Sequence, residues 1–237
     1  MKHYDLLLSF GCSFTEGGGL NDPRYHQYIH SNITDKQKLN QYMTDHSYPS
    51  YLAKLLGCNF VNYGTSCAGN EFIFKSVYDK CKNIDPSKSV LVTVQTSILS
   101  RMLITSADDK DISYNINSDE HPIDYIGNYY RTYIQRFYNE YREFDKLIMN
   151  VDLLQTWLRT KNIDFAFIAW DSIDSDIPKE YFLHCGIDTG SFDKFIKFKK
   201  KFIADLPNTP IVDFHATERG NELIAHEIFN YLRKKYD

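Results

Sequence analysis

Short apolar runs alternate with stretches whose apolar residues recur every three or four positions, and the two periods separate strands from helices. Strand-length runs fall at residues 4–10 (containing Leu6-Leu7-Leu8-Ser9-Phe10), 59–63, 90–94, 163–170 and 210–213. The unbroken run Val90-Leu91-Val92-Thr93-Val94 is the signature of a strand covered on both faces. A helix is predicted over 49–56, with Pro49 in its first turn, Leu52, Leu55 and Leu56 on one face and Gly57 closing it. A second is predicted over 70–82, carrying Phe72, Val77 and Tyr78. A third, over 217–235, buries Leu223, Ile224, Ile228 and Tyr231 and sets Lys234 and Lys235 at the negative end of its dipole.

The longest period runs through Tyr130, Ile134, Phe137, Tyr141, Phe144, Ile148, Val151, Leu154 and Leu158. It predicts a helix over 128–160, about 40 Å long if unbroken. Such a helix packs across a sheet, with a break near Asn150, or pairs with a second copy of the chain as a homodimer. Three polar stretches, at 16–47, 100–127 and 171–190, lack a period and read as excursions; residues 16–46 are expected to form a long loop on the crevice side. Phe192, Phe195, Phe198 and Phe202 among five lysines read as a short helix with an aromatic core stripe; an anionic surface partner for the lysines is the alternative. The repeated strand–helix order predicts an α/β fold: one domain over 1–237, a three-layer α/β/α sandwich around a central, mainly parallel five-stranded sheet of flavodoxin-like type.

Composition narrows the function. The 237 residues are 43% hydrophobic and 24% charged, as in a globular protein with one proper core. A net charge of −4 argues against a nucleic-acid partner. No window approaches the ~20 apolar residues of a membrane span, and the first strand begins too early for a signal peptide, so a cytoplasmic location without membrane partner is expected. Five cysteines without Cys-x-x-Cys spacing fit reduced thiols, with Cys12 and Cys67 as small packing residues. No metal is expected, since His26 and His30 lie in a stretch without helical pattern. No cofactor is expected either: the glycines after the first strand lack the Gly-Lys-Ser/Thr and Gly-x-Gly-x-x-Gly patterns of nucleotide sites. The 15% aromatic content is mostly core, although some rings can line a carbohydrate or acyl site.

Candidate chemistry sits at the two ends of the chain. Gly11-Cys12-Ser13-Phe14-Thr15 delivers a serine into a tight turn directly after the first strand, and Gly17-Gly18-Gly19 follows. Asp213-Phe214-His215 follows the last strand and precedes the last helix. The carboxyl ends of parallel strands share one edge, so residues almost a chain length apart can meet there. The pattern resembles the SGNH (GDSL-type) hydrolases, from end to end but only in short blocks. That resemblance implies Ser13 as nucleophile and His215 as base, five residues before Gly220 as in the family's last block. Asp213 would orient the imidazole, although it lies two residues before His215 where the family has three and Val212 takes the expected place. Cys12 replaces the family's aspartate in the first block.

The second block resembles Asn62-Tyr63-Gly64-Thr65-Ser66-Cys67-Ala68-Gly69-Asn70, with Cys67 at the usual glycine. The oxyanion would be met by the Ser13 N–H and a donor from this turn, involving Cys67, Gly69 and Asn70; Asn70 either caps the following helix or aims its amide at the site. The third block departs most: Gln95-Thr96-Ser97-Ile98 stands where the family has Gly-x-Asn-Asp, leaving Ser97 or Thr96 as donor. Arg101 just beyond binds a substrate carboxylate or phosphate, or makes an exposed ion pair.

The expected activity is that of a serine esterase removing acetyl or another short acyl group from a carbohydrate or small-molecule ester. The alternative is an altered SGNH-fold protein that binds glycan or acylated ligand, or an acyltransferase. Family members occur in bacteria and their viruses, so either setting is open.

Overall fold

The computed structural model describes residues 2–21, 36–97, 99, 101–105, 111–115, 132–133, 136–169, 195–197 and 215–236. Its strands are β1 (Leu6–Gly11), β2 (Asn59–Gly64), β3 (Val90–Gln95), β4 (Arg101–Thr105), β5 (Asp111–Asn115), β6 (Asp164–Ala169) and β7 (Phe195–Lys197). Five of them form one sheet in the order β2-β1-β3-β6-β7, every neighbouring pair parallel. β1 and β3 thus lie inside the sheet. Strand alternation divides the buried side chains between two faces. Leu8, Phe10, Val90, Val92, Val94, Phe165 and Phe167 enter one core, and Leu7, Leu91, Ala166 and Ile168 the other.

Helices cover both faces. α1 (Ser13–Glu16) is a single turn, followed by a 3-10 turn at Gly18–Asn21, α2 (Lys36–His46), α3 (Tyr48–Leu56), α4 (Asn70–Cys81), α5 (Glu140–Thr160) and α6 (Glu218–Tyr236). α4 and α5 cover the first core through Ile73, Phe74, Val77, Phe144, Val151 and Leu158. α3 and α6 cover the second through Leu52, Ala53, Ile224, Ala225 and Ile228. The result is the expected three-layer α/β/α arrangement. Among the described residues no helix is long and apolar enough to cross a membrane.

Four local expectations need correction. The loop expected over 16–46 contains a 3-10 turn and the 11-residue helix α2. α2 has little apolar face of its own, with only Met43 buried among its described side chains. Glu218 of α6 holds it instead: Tyr42 of α2 and Tyr51 of α3 donate to that carboxylate at 3.3 and 3.0 Å. The short helix expected around Phe195 is a strand, because β6 offers a free edge where Phe195 and Lys197 pair with Phe167 and Ala169. Tertiary hydrogen bonding overrides the local spacing there. The strand expected over 210–213, with Phe192, Phe198 and Phe202, lies outside the described residues. The helix expected over 128–160 is interrupted at 138–139: residues 132–133 and 136–137 are helical before it, and α5 then starts at Glu140, capped by the Asn139 side chain accepting from Arg142 N–H, and runs unbroken through Asn150. The excursion after residue 100 carries an antiparallel ribbon of β4 and β5.

The two sides of α5 should respond very differently to truncation. Phe144 is fully buried and Leu153 is 62% exposed. Phe144→Ala is expected to cost about 3–5 kcal/mol of stability in urea unfolding. Leu153→Ala should stay within about 0.5 kcal/mol.

Candidate active site

β1 ends in the sheet interior and hands the chain to α1, whose N-cap is Cys12 in extended conformation. Ser13 therefore sits at the carboxyl edge of a central strand, 7% exposed. Its N–H finds no acceptor among the described residues. His215 stands just before α6, which opens on Thr217, whose Oγ1 accepts from Gly220 N–H at 3.0 Å. The two distant segments meet: His215 Nε2 lies 2.7 Å from Ser13 Oγ. Phe14 stacks on the imidazole with ring centroids 4.4 Å apart.

The glycine run makes room for that meeting. A Cβ on Gly18 would lie 3.3 Å from His215 Nε2, and one on Gly19 only 2.5 Å from His215 Cβ. Side chains there would push the imidazole off the serine. Gly17, which closes α1 at φ 92°, starts the run.

The turn after β2 docks beside α1. Thr65 N–H donates to the Gly11 carbonyl at 3.0 Å, and Ser66 Oγ donates to the Glu16 carboxylate. Cys67 adopts φ +62°, the left-handed region that a glycine enters without cost. It is exposed, contrary to its expected role as a packing residue, whereas Cys12 is buried as expected.

Asn70 neither caps α4, whose N-cap is Gly69, nor offers its amide outward. Its Oδ1 accepts from Ser97 N–H at 2.7 Å and its Nδ2 donates to the Ser97 carbonyl at 3.0 Å. Both ends of the amide are spent on one backbone residue. The Thr96 hydroxyl is fully buried and donates to the Ile168 carbonyl at 3.2 Å, which removes it as a donor to ligand. Arg101 makes no ion pair among the described residues. Its guanidinium donates to Ser97 Oγ at 2.9 Å and, at 3.5 Å, to the Ala68 carbonyl. Arg101 thus braces the turn that carries Cys67, and the main chain at Arg101 packs so tightly on Gly69 that a Cβ there would come within 2.8 Å of its carbonyl oxygen. Asp213 lies outside the described residues.

Sequence reasoning overlooked Gln95, Tyr48 and Asn221. All are buried and polar, and all hydrogen-bond near the two meeting segments. Burial pushes the Tyr48 phenol well above the usual tyrosine range, so it remains protonated and able to donate. A glutamine closing a strand that is apolar apart from Thr93 was the available signal, because a buried amide must find partners.

Solved structures with this arrangement of layers carry ester-cleaving names. A carbohydrate esterase, described as having an active site with divergent catalytic and non-catalytic binding functions, aligns with TM-score 0.56 at 14% identity, over 100% of this chain and 70% of its own. A carbohydrate esterase family 2 enzyme with a carbohydrate-binding domain, from Corynascus thermopiles (Myceliophthora fergusii), aligns with TM-score 0.52 at 11% identity, over 97% of this chain and 66% of its own. The chain has the fold of the SGNH (GDSL-type) hydrolases. Also similar to this SGNH-fold chain is a member of the lipolytic protein G-D-S-L family from Veillonella parvula, with TM-score 0.46 at 11% identity, over 97% of this chain and 98% of its own. No family model and no curated protein matches the sequence.

Two substitutions probe the local geometry of this SGNH-fold site. Gly19→Ala should destabilise the protein by about 1–3 kcal/mol, read by chemical denaturation, because the His215 segment must yield to the new methyl. Cys67→Gly relieves the left-handed conformation while loosening the unfolded chain. The balance is a gain of about 0.5–1 kcal/mol, visible as a rise in Tm of about 2 °C.

Proposed function

We propose that the protein is a serine ester hydrolase that removes a short acyl group from a carbohydrate or other small ester. The observation that carries this reading is the 2.7 Å contact between Ser13 Oγ and His215 Nε2. Acyl transfer from an ester needs a nucleophile, a base within proton reach and donors for the developing oxyanion. In this reading His215 takes the Ser13 proton as Oγ attacks the ester carbonyl. The Ser13 N–H and the turn holding Cys67 meet the oxyanion. His215 then protonates the departing alcohol, leaving an acyl-serine, and activates the water that hydrolyses it. Asp213, or a backbone carbonyl, orients the imidazole from the other side. The carbohydrate esterase names of two fold relatives support a carbohydrate ester as the substrate class.

One observation favours a second reading, a ligand-binding protein with little hydrolysis. The Asn70 amide is fully used on Ser97, and Ser97, at the family's asparagine position, presents only a hydroxyl that already accepts from Arg101. Loss of one oxyanion donor costs about 10²–10³ in turnover, so this departure in the third block would slow hydrolysis by that factor.

The test uses p-nitrophenyl acetate and a fluorophosphonate probe. Wild type should turn over the ester and be labelled at Ser13. Ser13→Ala and His215→Ala should each lose about 10³-fold or more in kcat. Equal turnover by all three proteins would remove the hydrolase reading. Absent turnover and labelling, with retained binding on a glycan array, would favour the second reading.

A further inference from the structure

Besides the direct contact, the Ser13 and His215 segments are joined a second time through the interior. Gln95 ends β3 with no exposed surface. Its Oε1 accepts from Cys12 N–H at 3.3 Å, from Cys12 Sγ at 3.2 Å and from Thr15 Oγ1 at 3.1 Å. Its Nε2 donates to the Thr96 carbonyl. One side-chain oxygen therefore holds the chain on both sides of Ser13. Gly11 admits it: a Cβ there would lie 2.8 Å from that oxygen and 2.0 Å from Thr15 Oγ1.

Thr15 spends its single proton on Gln95, so in its 3.2 Å contact with Tyr48 the phenol is the donor. Tyr48 opens α3, and its N–H donates to Asn221 Oδ1 at 3.0 Å. Asn221 lies on α6, and its Nδ2 donates to the carbonyls of Ala216 at 3.3 Å and Thr217 at 3.0 Å. Ala216 is the residue after His215. Thr15 and Tyr48 are fully buried and Asn221 is 1% exposed, so this chain of bonds is shielded from water throughout.

We infer that Gln95, Thr15, Tyr48 and Asn221 form a positioning relay that sets the Ser13 hydroxyl and the His215 imidazole at hydrogen-bonding distance. It rests on the hydrolase reading for its use, but its geometry is independent of any substrate. A fully satisfied buried network has one low-energy arrangement, since each displaced member would leave a polar group unpaired. Reacting groups displaced by about 1 Å lose on the order of 10²-fold in rate. The relay thus converts the stability of the interior into precision at the edge.

The experiment compares Tyr48→Phe, Asn221→Ala, Leu52→Ala and Ser13→Ala with wild type. It records the His215 imidazole nitrogen shifts by NMR, p-nitrophenyl acetate kinetics and Tm. Tyr48→Phe removes one hydroxyl and keeps the ring, and Leu52→Ala removes an apolar contact from the same helix as a stability control. Expected is that Tyr48→Phe and Asn221→Ala move the His215 Nε2 shift towards its Ser13→Ala value. They should lower kcat about 10-fold or more with KM changed less than about 2-fold. Leu52→Ala should lower Tm and leave the shift in place. Relay variants with wild-type His215 shifts, or shifts no larger than in Leu52→Ala, would overturn the relay and leave the hydrolase reading intact. A Ser13→Ala protein whose His215 shift equals wild type would show no serine–histidine bond in solution and would sink both.

Discussion

A hydrogen bond between residues near opposite ends of a chain requires a scaffold that aligns distant segments at one edge. Here a parallel sheet supplies it. β1 lies between β2 and β3, so the backbone leaving it at Cys12 emerges at the carboxyl edge flanked by a strand on each side. α6 packs on α3 over the second core, which brings the residue just before α6 to that same edge. Without both the central placement of β1 and the docking of α6, Ser13 and His215 would have no reason to meet.

Parallel strands buried on both faces leave little freedom for polar residues, and the exceptions cluster. Ser9 and Thr93 sit opposite one another on β1 and β3, fully buried, with Thr93 Oγ1 donating to Ser9 Oγ at 2.7 Å. Gln95, Thr15 and Tyr48 continue this polar seam towards the carboxyl edge. Apolar replacements would be less costly to bury. Among the described residues, the concentration of these polar groups beneath the serine turn points to geometry rather than stability as the reason they are there.

Most of the scaffold was legible in the sequence because strand and helix periods are local. β3, α3, α4 and α6 fall within a residue or two of their expected ends. α2 was not legible, because its place depends on tyrosines reaching the Glu218 carboxylate across the fold rather than on an apolar face. β7 was hidden for a related reason: an edge strand is chosen by its neighbour's free hydrogen-bonding groups. At the site, the proximity of Ser13 and His215 was readable from two short blocks and a topological rule. The partners of Asn70, Arg101 and Gln95 were not, since a polar side chain does not reveal in sequence which distant carbonyl or hydroxyl it will meet. Asn70 illustrates this: its position suggested a cap or a ligand contact, and the structure gives it to the backbone of Ser97.

That last pairing also explains how the chain accommodates its departures from the SGNH pattern. The two bonds from Asn70 clamp the start of α4 to the end of β3, and the Arg101 guanidinium adds a tie between Ser97 Oγ and the Ala68 carbonyl. The turn from Thr65 to Gly69 is thereby fixed from one side, while its bond from Thr65 to Gly11 fixes it from the other. A turn held at both ends can keep Cys67 in a left-handed conformation that a free cysteine would avoid, at a cost of about 1–2 kcal/mol. Backbone shape, not side-chain identity, is therefore what this part of the site preserves. The residues that depart from the family pattern are tolerated because their neighbours hold the main chain where the chemistry would use it.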